Sequence, residues 1–357
     1  MEQLEIKSLS DTAINFLKKL IETPSLSREE SGTLTLFKGF FTERNIEFQI
    51  LKNNIWVKNL HFDYKKPSIL LNSHHDTVKP NVSYSRDPFK AEIIDGKLFG
   101  LGSNDAGGAL VSLLATFLFF YKKVNLKFNL VFAASAEEEI SGKDGIEILI
   151  PNFPKIELAI VGEPTLMDMA VAEKGLMVLD CMASGKAGHA ARNEGKNAIY
   201  AALEDILWFR NFQFSKVSNA LGPVKMSVTV INAGTQHNVV PDVCHFVVDV
   251  RATDAYTLEE TLEIIKQNVK CEVKPRSVRL NPSRISEDHP IVKRGIRLGM
   301  KPYGSPTLSD QSLMPFVSIK IGPGDSSRSH TADEYIYLEE IENGIVGYIA
   351  LLENLEI

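Results

Sequence analysis

The chain is poor in features that mark several protein classes. Only three of its 357 residues are cysteines, Cys181, Cys244 and Cys271. They fall in strand-like stretches without the spacing of a thiolate metal site or a disulfide framework, so each reads as a small buried side chain in a reducing compartment. Basic charge is in deficit: 39 lysines and arginines face 45 aspartates and glutamates, for a net charge of −6. The charges are mixed along the chain and form no stripe that would hold a phosphate backbone, which argues against a nucleic-acid partner. Long apolar runs are missing as well. The most apolar, 109–121, falls well short of the ~20 residues that cross a bilayer and reads as a buried helix, so no membrane partner is expected. Near the N-terminus Ala13, Ile14, Phe16, Leu17, Leu20 and Ile21 recur at helical spacing, broken by Lys18 and Lys19. That pattern describes an amphipathic helix and not a secretory signal, and the expected location is the cytoplasm.

There is no internal repeat, and the length exceeds what one ordinary core supports, so two domains, or one inserted into another, are expected. The first half alternates apolar strand-like segments at 68–72, 126–135 and 158–161 with the helix at 109–121. Such alternation predicts an α/β sheet covered by helices. From about residue 176 the rhythm becomes strand 176–186, helix 197–212, strands 224–232 and 244–251, helix 258–269 and strand 271–278. This is the β-α-β-β-α-β order of a ferredoxin-like unit. After Asn281 and Pro282 a helix, a strand at 317–321 and a closing helix at 338–355 complete the first domain. The organisation read from the sequence is therefore 1–172 and 283–357 as one domain, with 173–282 inserted.

Polar residues follow directly after the apolar strands, and in open α/β sheets ligands bind beyond strand ends. His74 and Asp76 lie in SHHDTV, Asp105 in GLGSNDAGG, Glu138 and Glu139 in AEEEI, Glu163 in VGEPT and His330 in RSHTADEY. Singly, each has an ordinary explanation as a loop histidine, or as favourable charge at the start of a helix. As a set they combine imidazole and carboxylate, the ligands of catalytic zinc, with glycines that allow tight turns. Two metals roughly 3.5–4 Å apart can clamp an attacking water, and a nearby free carboxylate must then take its proton. Residue chemistry alone leaves a metal hydrolase and a set of unrelated loop residues both open.

In order, the motifs His74-His75-Asp76-Thr77-Val78, Gly100 to Asp105, Glu138-Glu139, Gly162 to Thr165, and Gly322 to Gly324 followed by His330 resemble a known pattern. It is that of the acetylornithine deacetylase and succinyl-diaminopimelate desuccinylase family, relatives of aminoacylase and glutamate carboxypeptidase, and the resemblance runs over essentially the whole chain. It implies a zinc-exopeptidase-like catalytic domain, a mixed sheet flanked by helices, with an inserted ferredoxin-like α+β domain serving as lid and dimerisation surface. It also implies two Zn2+ ions, for which Co2+ can substitute. His74, Asp105 and Glu163 would hold one, and Asp105, Glu139 and His330 the other. Asp76 would orient the far nitrogen of His74. His75, on the opposite side of extended backbone, is expected to be a bystander.

By the same resemblance Glu138 is the general base, Glu137 standing where relatives often have Asp; a shift of one residue would exchange base and ligand. The Asp105–Ala106 bond is expected to be cis. His189, in the inserted domain, would reach across a dimer interface to stabilise the developing oxyanion, and Asn193 stands where relatives often have proline. Asn238 and Arg251 would bind the substrate carboxylate, with His237 peripheral. Ser309, Asp310 and Gly322 to Gly324 would shape the floor of the pocket. The implied activity is removal of an acyl group from an N-acyl amino acid by a homodimer. The substrate expected first is N-acetylornithine, in arginine biosynthesis. N-succinylornithine, N-acetylcitrulline, N-succinyl-diaminopimelate and N-acetyllysine are alternatives, as are a metallo-dipeptidase and a metal-free scaffold of the same fold. No motif identifies what reads the acyl group.

Overall fold

A computed structural model describes residues 2–192 and 194–357, so Asn193 lies outside the described residues. The chain forms two compact units. Met1–Val171, Arg284–Tyr303 and Ser309–Ile357 make up the first, and Ala172–Ser283 with Gly304–Leu308 the second. The segment Gly304–Leu308, which the sequence assigns to the first domain, belongs to the second. Ser305 accepts a backbone hydrogen bond from Lys174 (3.2 Å), and Gly304 packs so closely on the Ala220 carbonyl that a Cβ would not fit there.

The first unit is built on a mixed sheet in the order Phe48–Leu51, Asn54–Lys58, Asn129–Ser135, Ser68–His74, Leu158–Val161, Ser318–Lys320, Met169–Glu173, Ser283–Arg284. Ser68–His74 runs parallel to both Asn129–Ser135 and Leu158–Val161, and Ser318–Lys320 runs parallel to Leu158–Val161. These central strands are buried at every position, as expected of parallel strands covered on both faces, and for that reason they read as unbroken apolar runs. Helices Glu2–Ile21, Ser31–Glu43, Gly108–Tyr121 and Leu338–Leu352 supply Leu17, Phe37, Phe41, Phe117 and Tyr348 to the core. Phe16, Phe37, Phe40 and Phe132 form a ring cluster with centroids 4.6–6.3 Å apart, a spacing that favours edge-to-face contact.

The helical stretch, though not the apolar run, begins earlier than residue 109. Ser103–Tyr121 has 19 residues and the hydropathy of a membrane span, but 89% of it is buried inside the protein. It is a core helix preceded by one tight turn. The hairpin Phe48–Leu51/Asn54–Lys58, the helix Ser31–Glu43 and the three-stranded sheet of Tyr335–Tyr337, Lys97–Phe99 and Glu92–Ile94 were not anticipated. The first hairpin turns through Lys52 at φ +55°, where the usual signal is Asn or Gly.

The second unit is a four-stranded antiparallel sheet, ordered Lys225–Ala233, Val243–Ala252, Gly175–Ser184, Glu272–Pro275, with helices Ala198–Asn211 and Leu258–Asn268. Its two central strands alternate buried and more exposed positions, placing Met177, Leu179, Cys181, Phe246, Val248 and Val250 in a separate core. Asn197 caps the first helix, and a Thr257/Glu260 capping box starts the second, each worth about 1 kcal/mol. The last strand ends at Pro275, short of the expected residue 278, although the Arg276 N–H still donates to the Val178 carbonyl at 2.9 Å. All three cysteines are free; Cys181 and Cys244 are buried and Cys271 is partly exposed.

Candidate metal centre

Three neighbouring parallel strands end at one edge of the first unit's sheet. His74 is the last residue of Ser68–His74, Glu138 and Glu139 follow Asn129–Ser135, and Glu163 follows Leu158–Val161. Asp105 comes from the turn Ser103–Gly107 that opens the buried helix, and the Asp105–Ala106 peptide is cis. His330 follows the turn Ser326–Arg328.

These side chains converge. His74 Nε2 lies 3.4 Å from Asp105 Oδ1, 3.8 Å from Glu163 Oε1 and 3.9 Å from Glu138 Oε2. His330 Nε2 lies 3.5 Å from Asp105 Oδ2 and 3.0 Å from Glu139 Oε2. Asp105 thus turns one oxygen toward each imidazole. Glu137 points elsewhere, with Oε1 4.0 Å from Arg28 Nε.

His74 is buried, and its Nδ1–H donates to the backbone carbonyl of Asp76 at 2.9 Å. In its neutral form the ring is thereby the tautomer with its lone pair on Nε2, an atom that is buried without a hydrogen-bond partner. The Asp76 carboxylate stands farther from Nδ1, at 3.4 Å. Its closer contacts are Ser27 Oγ at 2.7 Å and the backbone N–H groups of Glu138 and Glu139 at 3.0 and 3.2 Å. Asp76 therefore orients the imidazole mainly through its carbonyl, while its carboxylate holds the glutamate turn. His75 faces the core against Phe37, with Thr33 Oγ1 2.8 Å from Nδ1 and the Asn53 carbonyl 2.9 Å from Nε2.

Electrostatics describe a pocket short of positive charge. Burial pushes Glu163 up to about 8 despite the opposing charge of His74. Burial likewise lifts Glu138 well above the carboxylate range; His74 opposes this, and Glu163, Asp310 and Glu139 add to it. Glu139 is raised by burial, against its hydrogen bond to His330. That hydrogen bond is the chief reason His330 rises to about 9. For His74, burial works downward, yet contacts with Asp105 and Asp76 carry it well above its ordinary value. An orphaned imidazole nitrogen facing a ring of crowded carboxylates is a donor set suited to divalent cations such as zinc, cobalt or manganese. The residues present fit a pair of them.

A model of the peptidase family M20/M25/M40 matches residues 70–354. The chain belongs to this family. It is a hydrolase, and its fold is that of M20 exopeptidases. It is 26% identical over 363 residues, covering 98% of each chain, to a [LysW]-lysine/[LysW]-ornithine hydrolase of Saccharolobus solfataricus. A succinyl-diaminopimelate desuccinylase of Cereibacter sphaeroides is 26% identical over 70% of each chain. Among solved structures, the YXEP protein of Bacillus subtilis, described as a dinuclear metal-binding peptidase of the M20 family, superposes with a TM-score of 0.74. Its identity is 17%, and the match covers 97% of this chain and 98% of that one.

Two further carboxylates of this M20 chain, Glu334 and Asp310, support the site through hydrogen bonds that the sequence does not show. Buried Glu334 accepts the N–H groups of Asn104 (2.8 Å) and Asp105 (2.9 Å) on Oε1, and that of Gly102 (3.1 Å) on Oε2. It thereby pins the turn that carries Asp105. Burial, with the nearby charge of Asp105, pushes it up to about 8. Asp310, expected only to shape the pocket floor, accepts from Asn72 Nδ2 (2.8 Å) and Ser135 Oγ (2.6 Å) and so ties two central strands together near their ends.

The remaining candidates lie in the second unit. Gly188–His189 pairs with Val239–Val240, which sets exposed His189 beside the backbone of Asn238. His189 Nδ1 accepts from Ala191 N–H (3.1 Å), and the Asn238 carbonyl accepts from Ala190 N–H (2.9 Å). Arg251, read as a carboxylate-binding fork, already spends that fork on its own strand, donating from Nε and Nη2 to Asp249 at 2.9 and 3.1 Å.

Proposed function

We propose that this M20 hydrolase removes an acyl group from an amino nitrogen of an N-acyl amino acid, a diamino acid first, using two divalent cations, zinc first and cobalt as a substitute. One observation carries the reading: Asp105 directs Oδ1 to His74 and Oδ2 to His330, the arrangement of a bridging carboxylate. His330 has Glu139 as a further carboxylate partner, and His74 has Glu163 and Glu138. Glu138 Oε2 stands as near His74 as Glu163 does, at 3.9 against 3.8 Å, and the family register makes Glu138 the free carboxylate.

When bound, two such cations would polarise the amide carbonyl and acidify a water molecule. Glu138 takes the proton of the attacking water and returns it to the departing amine, a task suited to a carboxylate whose affinity for protons is raised by burial. Asp76 keeps His74 in the correct tautomer and holds the backbone of Glu138 and Glu139. His189 of one protomer would donate to the developing oxyanion in its partner's site. Asn238, together with Arg251 once released from Asp249, would bind the substrate carboxylate.

The relatives' names support the substrate class. Lysine, ornithine and diaminopimelate are all diamino acids, and they differ in what is attached to the amine. N-acetylornithine falls in the same class, and the VGEPT and EKG motifs favour an acetylornithine deacetylase role in arginine biosynthesis within it. A homodimer is supported by the second unit's helix Ala198–Asn211, which exposes Ile199, Leu203 and Leu207 at spacings of one helical turn, with Tyr200 beside them. Three free cysteines suit the cytoplasm.

The test is a panel of acetyl and succinyl derivatives of ornithine, citrulline, lysine and diaminopimelate, assayed with zinc or cobalt. Turnover of acylated diamino acids, ornithine foremost, is expected. Cleavage of dipeptides with no deacylation would replace this reading by a dipeptidase, and metal-free, inactive protein would leave only a scaffold.

A further inference from the structure

We infer that Glu30 is a positioning residue whose carboxylate sets the turn that aims Glu138 and Glu139. The geometric part of this inference stands by itself, and its catalytic consequence rests on the function proposed above. Glu30 immediately precedes the helix Ser31–Glu43, but its side chain makes no cap for that helix. It is fully buried, where a carboxylate is tolerated only if its oxygens are hydrogen-bonded. Oε1 accepts the N–H of Arg28 at 2.6 Å and the N–H of Glu137 at 3.2 Å, and Oε2 accepts from Asn53 Nδ2 at 2.7 Å.

Those donors come from three segments far apart in sequence, and each segment contains a non-glycine residue in the left-handed region: Arg28 at φ +77°, Lys52 at φ +55° and Glu137 at φ +56°. Such conformations persist only where surrounding contacts impose them. In the glutamate turn these contacts are side chains. The successive N–H groups of Ala136, Glu137, Glu138 and Glu139 go to Asn54 Oδ1 (2.8 Å), Glu30 Oε1 (3.2 Å), Asp76 Oδ1 (3.0 Å) and Asp76 Oδ2 (3.2 Å). Asp76 anchors the two residues that face the imidazoles. Glu30 anchors the left-handed residue before them, and so fixes the direction in which the chain enters the site. Without it the turn is free to relax at Glu137, and Glu138 loses its placement 3.9 Å from His74.

Glu30→Ala removes all three contacts. Glu30→Asp keeps the charge but draws it back by one methylene, away from the Glu137 N–H. Glu30→Gln keeps an acceptor for both backbone donors, and its new NH2 is accommodated when the Asn53 amide turns over to accept. Two readouts decide the matter. The first is amide hydrogen exchange at 136–139 in metal-free protein: about 10-fold faster exchange is expected in Glu30→Ala and Glu30→Asp, with near wild-type rates in Glu30→Gln. The second is turnover of the best substrate: in the same two variants kcat falls about 10²-fold, as sub-ångström to 1 Å misplacement produces, with KM within about 3-fold and two metals retained. Glu30→Gln restores most of kcat. Because Glu30→Asp and Glu30→Gln both keep the buried site polar, failure of Glu30→Ala to fold leaves the comparison intact. Unchanged exchange at 136–139, or equal kcat in Glu30→Asp and wild type, overturns the inference. Metal-loaded wild type that hydrolyses no acyl amino acid counts instead against the proposed function, and the exchange readout still decides the role of Glu30.

Discussion

Asp105 presents Oδ1 to His74 Nε2 at 3.4 Å and Oδ2 to His330 Nε2 at 3.5 Å. The two histidines come from separate parts of the chain, one ending a central strand and the other following a late turn. A single carboxylate between them suits a pair of adjacent cations, and Glu334 holds the Asp105 N–H that positions it.

The division of labour among the glutamates is separable by substitution. Glu138→Gln keeps size and removes the base, so kcat should fall about 10²–10⁴-fold, the usual contribution of general base catalysis, with two metals still bound. Glu139→Gln should instead lower metal content, measured by elemental analysis after gel filtration. The reverse pattern would show that the two roles are exchanged.

Metal-free protein should lose thermal stability as pH rises. Glu163 stands at about 8 against an ordinary 4.5, and His330 at about 9 against 6.5. Both are raised in the folded state, so each contributes stability that is fully present below its unfolded value. That stability is lost as pH rises through about 8 for Glu163 and about 9 for His330. Metal binding displaces the same protons, so zinc affinity should increase over that window and the fall in Tm should vanish in loaded protein. Scanning calorimetry from about pH 5 to pH 9, with and without zinc, measures both.

Glu334→Gln places an NH2 group where one oxygen now accepts a backbone N–H. At least one of the Gly102, Asn104 and Asp105 donors is left unsatisfied in a buried turn. A cost of about 1–3 kcal/mol follows, seen as a lower denaturation midpoint, together with weaker binding of both metals because Asp105 is no longer held.

If the helix Ala198–Asn211 forms the dimer contact, Leu203→Glu, exposed in the free chain, should yield a folded monomer by sedimentation. Loss of kcat with unchanged metal content would accompany it if His189 acts across the interface. A fully active monomer would confine His189 to a role within its own chain.

What the sequence revealed and what it hid have a common cause. Strands 68–72 and 158–161 were legible because burial on both faces leaves an apolar run with polar residues directly after it. The six side chains that the motifs single out, His74, Asp105, Glu138, Glu139, Glu163 and His330, gather in one place although two of them come from turns and not from strand ends. Glu30, Asp310 and Glu334 were not legible as scaffold, because a buried carboxylate that accepts backbone or strand-end donors is written with the same letter as a surface charge. Their partners lie 107, 175 and 230 positions away in sequence. The pairing of Arg251 with Asp249 was not legible for the opposite reason: the partner is only two residues away, on the same strand face, where a sequence shows no distant match to find.

The most direct test is an anomalous difference map from crystals of the zinc-loaded protein. Two peaks roughly 3.5–4 Å apart are predicted, one beside His74 and Glu163 and the other beside His330 and Glu139, with one Asp105 oxygen on each. A single peak, or two peaks without Asp105 between them, would contradict the bridging role from which the rest of the account is built.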